Sequence, residues 1–119
     1  MNHQNGRKKL NLKPSHKRSL IRNQTMHFIT YGKLVSTEAR IKEVQRYVEK
    51  AVTVARDGNI FNARRQAKKL LPYKDVVLKK LFQEIAPRYV SRPGGYTRRI
   101  RKGRRPSDTA SIACLQWVE

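Results

Sequence analysis

Apolar residues recur at helical spacing through the middle of the chain. The clearest segment follows Thr37, a residue type that favours the position before a helix, and runs through to Arg56. Glu38 stands at its first helical position, where the helix dipole favours an anion. Its apolar residues share one face: Ile41, Val44, Val48, Ala51, Val52 and Ala55. We predict a helix here, ended by Gly58.

Three other stretches show helical patterns. One begins near Ser15, a plausible N-cap, and ends at Gly32; the others span about 60–70 and about 75–85, where Pro87 stops the last one. The apolar positions of the first stretch are Leu20, Ile21, Phe28 and Ile29. Those of the second are Ile60, Ala63, Ala67 and Leu70, and those of the third are Val77, Leu78, Leu81, Phe82 and Ile85.

The pattern favours strands in the last third of the chain. Pro93-Gly94-Gly95 is typical of a turn, residues 96–101 suit a strand, and residues 111–118 form a largely apolar run. A second turn at Pro106-Ser107-Asp108 would join the two strands into a terminal hairpin. The short stretch 33–36 suits an edge strand.

Charge adds the first functional information. The chain has 119 residues, with 28 Lys plus Arg and 8 Asp plus Glu, for a net charge of +20. Residues 1–33 carry eight basic residues and no acidic residue. Residues 34–90 carry thirteen basic and six acidic residues, and residues 91–119 carry seven basic and two acidic residues. We expect a basic extension over 1–13 and a single domain over 14–119. Such charge favours a polyanionic partner, and its concentration at both ends favours phosphate.

Few residues suit catalysis or metal binding. His3, His16 and His27 lie far along the chain from Cys114, the acids are dispersed, and neither a phosphate-binding G-x-x-x-x-G-K-[ST] loop nor a C-x-x-C motif occurs. We expect no catalytic residue, metal, cofactor or small-molecule substrate, and a buried structural role for Cys114. No stretch reaches the ~18 apolar residues of a membrane span, so we expect a cytoplasmic protein without a membrane partner.

The strongest binding candidate is the segment 92–105. Its arginines are forked donors that suit phosphate, and two adjacent glycines would let another surface approach the backbone closely. Tyr96 either stacks on a base or packs in the core, and both interpretations stay open. The candidate RNA-binding residues here are Arg92, Gly94, Gly95, Tyr96, Arg98, Arg99, Arg101, Arg104 and Arg105.

The acid-free N-terminal region is the second candidate. A basic extension of this kind suits ordering against structured RNA. Its candidate residues are His3, Arg7, Lys8, Lys9, His16, Lys17, Arg18 and Arg22. A third basic cluster is explained equally well by a solvated helix surface and by phosphate contact: Arg64, Arg65, Lys68 and Lys69.

Several motifs resemble one protein family. Leu81-Phe82, Pro87-Arg88-Tyr89 and the run Arg92-Pro93-Gly94-Gly95-Tyr96-Thr97-Arg98 resemble the C-terminal signature of bacterial large-subunit ribosomal protein L17. The basic opening is similar too, at Gly6-Arg7, Leu10-Asn11, Ser15-His16-Lys17 and Arg22-Asn23. Arg99 departs from a usually aliphatic position, and Ser107-Asp108 from a usual Gly-Asp.

The resemblance implies an α+β fold, with four helices packed on a small three-stranded mixed sheet in two layers and a basic N-terminal extension. It also implies a structural, ribosome-bound role in the large subunit. The expected partners are large-subunit (23S-type) rRNA and neighbouring ribosomal proteins near the exit tunnel. Charge alone would also allow a small DNA-binding or nucleoid-type protein. An RNA-modifying enzyme would need catalytic residues that the sequence does not offer.

Overall fold

The computed structural model describes residue 10 and residues 12–56, 60–71 and 75–118. This part of the chain forms four α-helices and three strands. The elements are α1 (Pro14–Tyr31), β1 (Lys33–Thr37), α2 (Glu38–Ala55), α3 (Ile60–Leu70), α4 (Asp75–Lys80), β2 (Thr97–Arg104) and β3 (Ser111–Trp117), with a π-helical segment (Leu81–Ile85) and a 3-10 segment (Ala86–Tyr89) after α4. The predicted combination of four helices and three strands is confirmed.

The sheet has the order β1-β3-β2, and both outer strands run antiparallel to the central β3. The edge strand and the terminal hairpin are therefore confirmed, but the mixed sheet is wrong. β1 and β2 point the same way, yet β3 lies between them, so no parallel pair is hydrogen-bonded. Cys114 lies in β3 and is fully buried, as expected.

Helix α2 organises the core because it contacts all three strands as well as α1 and α3. Every apolar residue of its predicted face is buried. Thr37 does occupy the N-cap position, although its side chain makes no capping hydrogen bond. The spacing of apolar residues predicted this buried face because only one face of the helix packs against the rest of the protein.

Helix α1 starts two residues earlier than a Ser15 N-cap predicts. It begins at Pro14, with Lys13 rather than Ser15 in the N-cap position. Proline suits this first position because its fixed φ is helical and the missing N–H would have no intrahelical partner. At the other end Gly32 adopts a left-handed φ of 77°, and its N–H donates to the Phe28 carbonyl at 2.7 Å.

The helix predicted to stop before Pro87 instead continues through two irregular turns. The Ala86 N–H donates to the Leu81 carbonyl, which gives the wider π turn, and Pro87 falls at the start of the following 3-10 segment. Proline lacks the N–H needed inside an α-helix, but the first turn of a new helical segment does not require it. The chain thus stays helical to Tyr89, which is buried.

An aromatic cluster joins these turns to the sheet. Tyr89 lies with its ring centroid 5.3 Å from that of Tyr96 and 5.9 Å from that of Trp117. Trp117 in turn packs 4.6 Å from Phe28 of α1. The Tyr89 hydroxyl donates to the Val118 carbonyl at 2.6 Å. These contacts tie α1, the 3-10 segment and both ends of the hairpin to one another.

The turn between β2 and β3 is closed by an ion pair. The Arg105 guanidinium donates to both carboxylate oxygens of Asp108, at 3.0 and 2.6 Å, and the Ala110 N–H donates to the same carboxylate at 3.1 Å. The hydrogen bond from Arg105, followed by that from Ala110, lowers the pKa of Asp108 to about 2.

We predict that the buried hydroxyl of Tyr96 stabilises the fold. It lies 2.8 Å from an Arg56 guanidinium nitrogen and 3.1 Å from the Thr53 hydroxyl. Replacing Tyr96→Phe removes both hydrogen bonds and should lower the free energy of unfolding by about 1–2 kcal/mol in chemical denaturation. The control Tyr31→Phe, at a tyrosine that is 71% exposed, should change stability far less. Equal effects of the two substitutions would contradict this role.

We also predict that Asp108 titrates abnormally. Its side-chain carboxyl resonance should show an NMR titration midpoint of about 2, well below the ordinary aspartate value of about 3.9. Because the folded pKa is lowered, any stabilisation by this contact is complete above the ordinary pKa and is lost as pH falls through about 2. Arg105→Gln should raise the midpoint. An ordinary midpoint in the unmodified protein would show that the pair does not form.

Candidate nucleic-acid interface

The cations of β2 fall on both faces of the sheet. Thr97 pairs with Trp117 and faces α2, since its N–H and hydroxyl both donate to Glu49 of that helix. Strand alternation then places Arg99 and Arg101 on the α2 side and Arg98 on the opposite side. All three arginines are exposed. A single strand therefore presents guanidinium groups in two opposite directions.

The two arginines on the α2 side also touch that helix. Arg99 donates to the Gln45 side-chain carbonyl at 3.4 Å, and an Arg101 guanidinium nitrogen lies 3.5 Å from a Glu38 carboxylate oxygen. The Arg101 side chain remains 81% exposed, so water screens this ion pair strongly. Both guanidinium groups stay accessible to an external phosphate.

A bulge interrupts the pairing of β2 with β3 near the end of β2. Arg101 pairs with Ala113 but Gly103 pairs with Ile112, so Lys102 is an extra residue in the ladder. Lys102 and Arg104 are both exposed. These two residues add exposed cations at the end of β2 to those of Arg98, Arg99 and Arg101.

The loop before β2 turns through two glycines. Gly95 has a left-handed φ of 63°, which explains why a residue without a Cβ stands there. Within the described part of the chain, a Cβ at Gly94 or Gly95 would meet nothing within 4 Å. Arg92 is exposed beside them, and its backbone carbonyl accepts a hydrogen bond from Arg56. The glycines therefore shape a turn whose outer side is open to another molecule.

Two of the candidate residues in this segment have internal roles. The Tyr96 ring is fully buried in the aromatic cluster. It therefore packs in the core and does not stack on a base, so the prediction that Tyr96 binds RNA is corrected. Arg105 forms the turn-closing ion pair with Asp108, and its side chain is half-exposed.

The N-terminal candidates that the structure describes also divide into exposed residues and residues that contact other helices. On α1, His16 and Arg18 are exposed. Lys17 lies 3.8 Å from Glu43, and Arg22 donates to the Tyr47 hydroxyl at 3.4 Å. Lys17 and Arg22 therefore help to pack α1 on its neighbours. The candidates His3, Arg7, Lys8 and Lys9 lie outside the described residues.

Arg56 is the residue that sequence reasoning missed. It directly follows α2 and donates both to the Tyr96 hydroxyl and to the Arg92 backbone carbonyl. It thus links the end of α2 to both ends of the glycine turn. The only signal in the sequence was a cation at the end of a helix, a common position that does not reveal a distant partner.

The described residues contain no group of three or more His, Cys, Asp or Glu side chains placed to hold a metal ion. Among the helices of this part of the chain, none is both long and apolar enough to cross a membrane. The prominent chemistry of the surface is cationic, with arginines displayed on a braced hairpin.

Comparison with known proteins identifies the family. Residues 20–118 match the model of the family described as ribosomal protein L17. The chain is 40% identical over 119 residues to the large ribosomal subunit protein bL17 of Zymomonas mobilis, covering 100% of this chain and 84% of that protein. It is 42% identical over 119 residues to the protein of the same name from Nitratidesulfovibrio vulgaris, covering 99% and 88%, respectively. It is 42% identical over 113 residues to the large ribosomal subunit protein bL17 of a Thermoanaerobacter species, covering 95% of this chain and 99% of that protein. With a match over most of its length and relatives at this level of identity, the chain belongs to the ribosomal protein L17 family.

Proposed function

We propose that this chain is a structural component of the large ribosomal subunit and binds large-subunit rRNA through a cationic hairpin surface. We define that surface by Arg92, Gly94, Gly95, Arg98, Arg99, Arg101, Lys102 and Arg104, all of which are exposed except the half-buried Gly94. Family membership supports the ribosomal role, and the arginines on both faces of β2 support the contact with RNA. The protein would accordingly be ribosome-bound in the cytoplasm.

The arrangement of the arginines suggests how the hairpin acts. Arg98 faces away from α2, whereas Arg99 and Arg101 lie on the side of α2. A strand inserted between two RNA segments would neutralise phosphates on each of them. Guanidinium groups suit this role because they stay charged and can bind two phosphate oxygens at once. The protein would thereby stabilise closely packed rRNA without chemical change.

The exposed residues of α1 extend the proposed contact. His16 and Arg18 are open to solvent, and the basic residues Arg7, Lys8 and Lys9 precede them along the chain. We propose that this N-terminal region also binds rRNA. Contacts with neighbouring ribosomal proteins near the outer end of the exit tunnel are part of the proposal, and they rest on the family resemblance alone.

The salt dependence of RNA binding tests the hairpin contact. Replacing Arg98, Arg99 and Arg101 with Ala should weaken binding of the full chain to large-subunit rRNA. The slope of log affinity against log salt should become less steep by roughly 0.7–0.9 for each phosphate that the variant no longer neutralises. Filter binding over a range of salt concentrations measures both quantities.

A matched control removes three charges outside the candidate surfaces: Lys33, Arg46 and Lys50 each changed to Ala. All three residues are exposed, and none of them belongs to a candidate surface. The control should retain a steeper slope than the hairpin variant. Equal slopes would contradict a specific role of the hairpin, and equal affinity of the unmodified chain for duplex DNA would favour the DNA-binding alternative.

A further inference from the structure

A second surface lies between α3 and the helical segment that begins with α4. It is a groove of about 460 Å³. Its lining residues are Arg64, Lys68, Asp75, Val76, Leu78, Lys79, Phe82 and Gln83. None of them belongs to the cationic hairpin surface or to the N-terminal candidates, although Arg64 and Lys68 belong to the third basic cluster, which the sequence explains equally well as a solvated surface or as a phosphate contact.

Apolar side chains are unusually exposed at this groove. Val76 lines it and is 77% exposed, while Leu78 and Phe82 are only partly covered by the core. Phe61 is 76% exposed and lies one turn before Arg64 on the same face of α3. A valine this exposed in an apolar groove, together with an equally exposed phenylalanine on the neighbouring helix α3, favours a partner that buries apolar side chains here.

The groove is also cationic. Arg64, Lys68 and Lys79 line it against one acid, Asp75. The Arg64 guanidinium carbon lies 5.8 Å from the centroid of the Phe82 ring, so this cation is held over the apolar floor. The complement of such a surface is an apolar side chain flanked by negative charges.

We propose that this groove binds an acidic amphipathic segment of a partner protein. A leucine-like or aromatic side chain of that segment would pack on Val76, Leu78 and Phe82, and its carboxylates would pair with the three cations. RNA phosphates would also pair with the cations, and a base would stack on an aromatic ring, but the aliphatic side chains of Val76 and Leu78 favour an apolar protein side chain. RNA is therefore the competing occupant in the test below. The proposal does not rest on the proposed rRNA contact, because it concerns different residues and a different class of partner.

Methyl NMR of the full chain with defined peptides tests this proposal. The probe is an amphipathic helical peptide of Glu and Leu with its leucines on one face. It should shift the Val76 and Leu78 methyl resonances at moderate salt. One matched peptide replaces Leu with Gln at the same charge, and another replaces Glu with Gln at the same apolar content. Both peptides should bind at least about tenfold more weakly than the probe, because one lacks the apolar side chains and the other lacks the negative charges.

Two valine substitutions separate the groove from the general charge of the protein. Val76→Ser should weaken binding of the probe several-fold without unfolding the chain, because this side chain is 77% exposed. Val90→Ser, at a valine that is 64% exposed and does not line the groove, should leave the affinity unchanged.

Three results would overturn the proposal. The Gln-for-Leu peptide binding as tightly as the probe would show attraction by charge alone. Equal effects of Val76→Ser and Val90→Ser would show that the probe binds elsewhere. A short single-stranded RNA that shifts the same methyl resonances and displaces the probe would make the groove an RNA site. None of these outcomes bears on the hairpin contact, whose failure would appear in the salt slope.

Discussion

The position of the cationic hairpin depends on the burial of Tyr96 at its base. This ring is fully buried against Tyr89, and its hydroxyl hydrogen-bonds to Thr53 and Arg56 of the α2 region. Its backbone carbonyl accepts from the Val118 N–H at 2.9 Å, which joins the start of β2 to the end of β3. Because the ring fixes one end of β2, the arginines that follow project from a braced strand rather than from a mobile loop.

A fixed position of β2 matters because the chain carries far more positive charge than its own acidic residues can neutralise. With 28 basic and 8 acidic residues, the folded protein repels itself, and a polyanion relieves that repulsion. The acids Glu38 and Glu43 of α2 each lie near a cation of another element, Arg101 and Lys17. Because Arg101 is 81% exposed, water screens its pair with Glu38, and this acid does not neutralise the hairpin. The fold thus keeps most of its guanidinium charge available for phosphate.

Local pattern predicted much of this fold, and long-range contacts account for what it missed. The buried face of α2 and the left-handed end of α1 at Gly32 follow from neighbouring residues alone. The antiparallel sheet does not, because strand order depends on where β1 meets β3 in space. Tyr96 could not be assigned for the same reason: its partners Thr53 and Arg56 are some forty positions away. The exposed arginines were recognisable by composition, but their division between two faces required the register of β2.

The hairpin and the α3–α4 groove give the molecule two surfaces of different chemistry, one cationic and polar, the other cationic and apolar. The proposed function depends above all on the contact between the hairpin and rRNA. Photo-crosslinking in purified large subunits, with a photoreactive amino acid in place of Arg98, tests that contact in the assembled particle. We expect a nuclease-sensitive crosslink to large-subunit rRNA. Crosslinks to protein alone, or a protein that does not sediment with the subunit, would contradict the proposed contact.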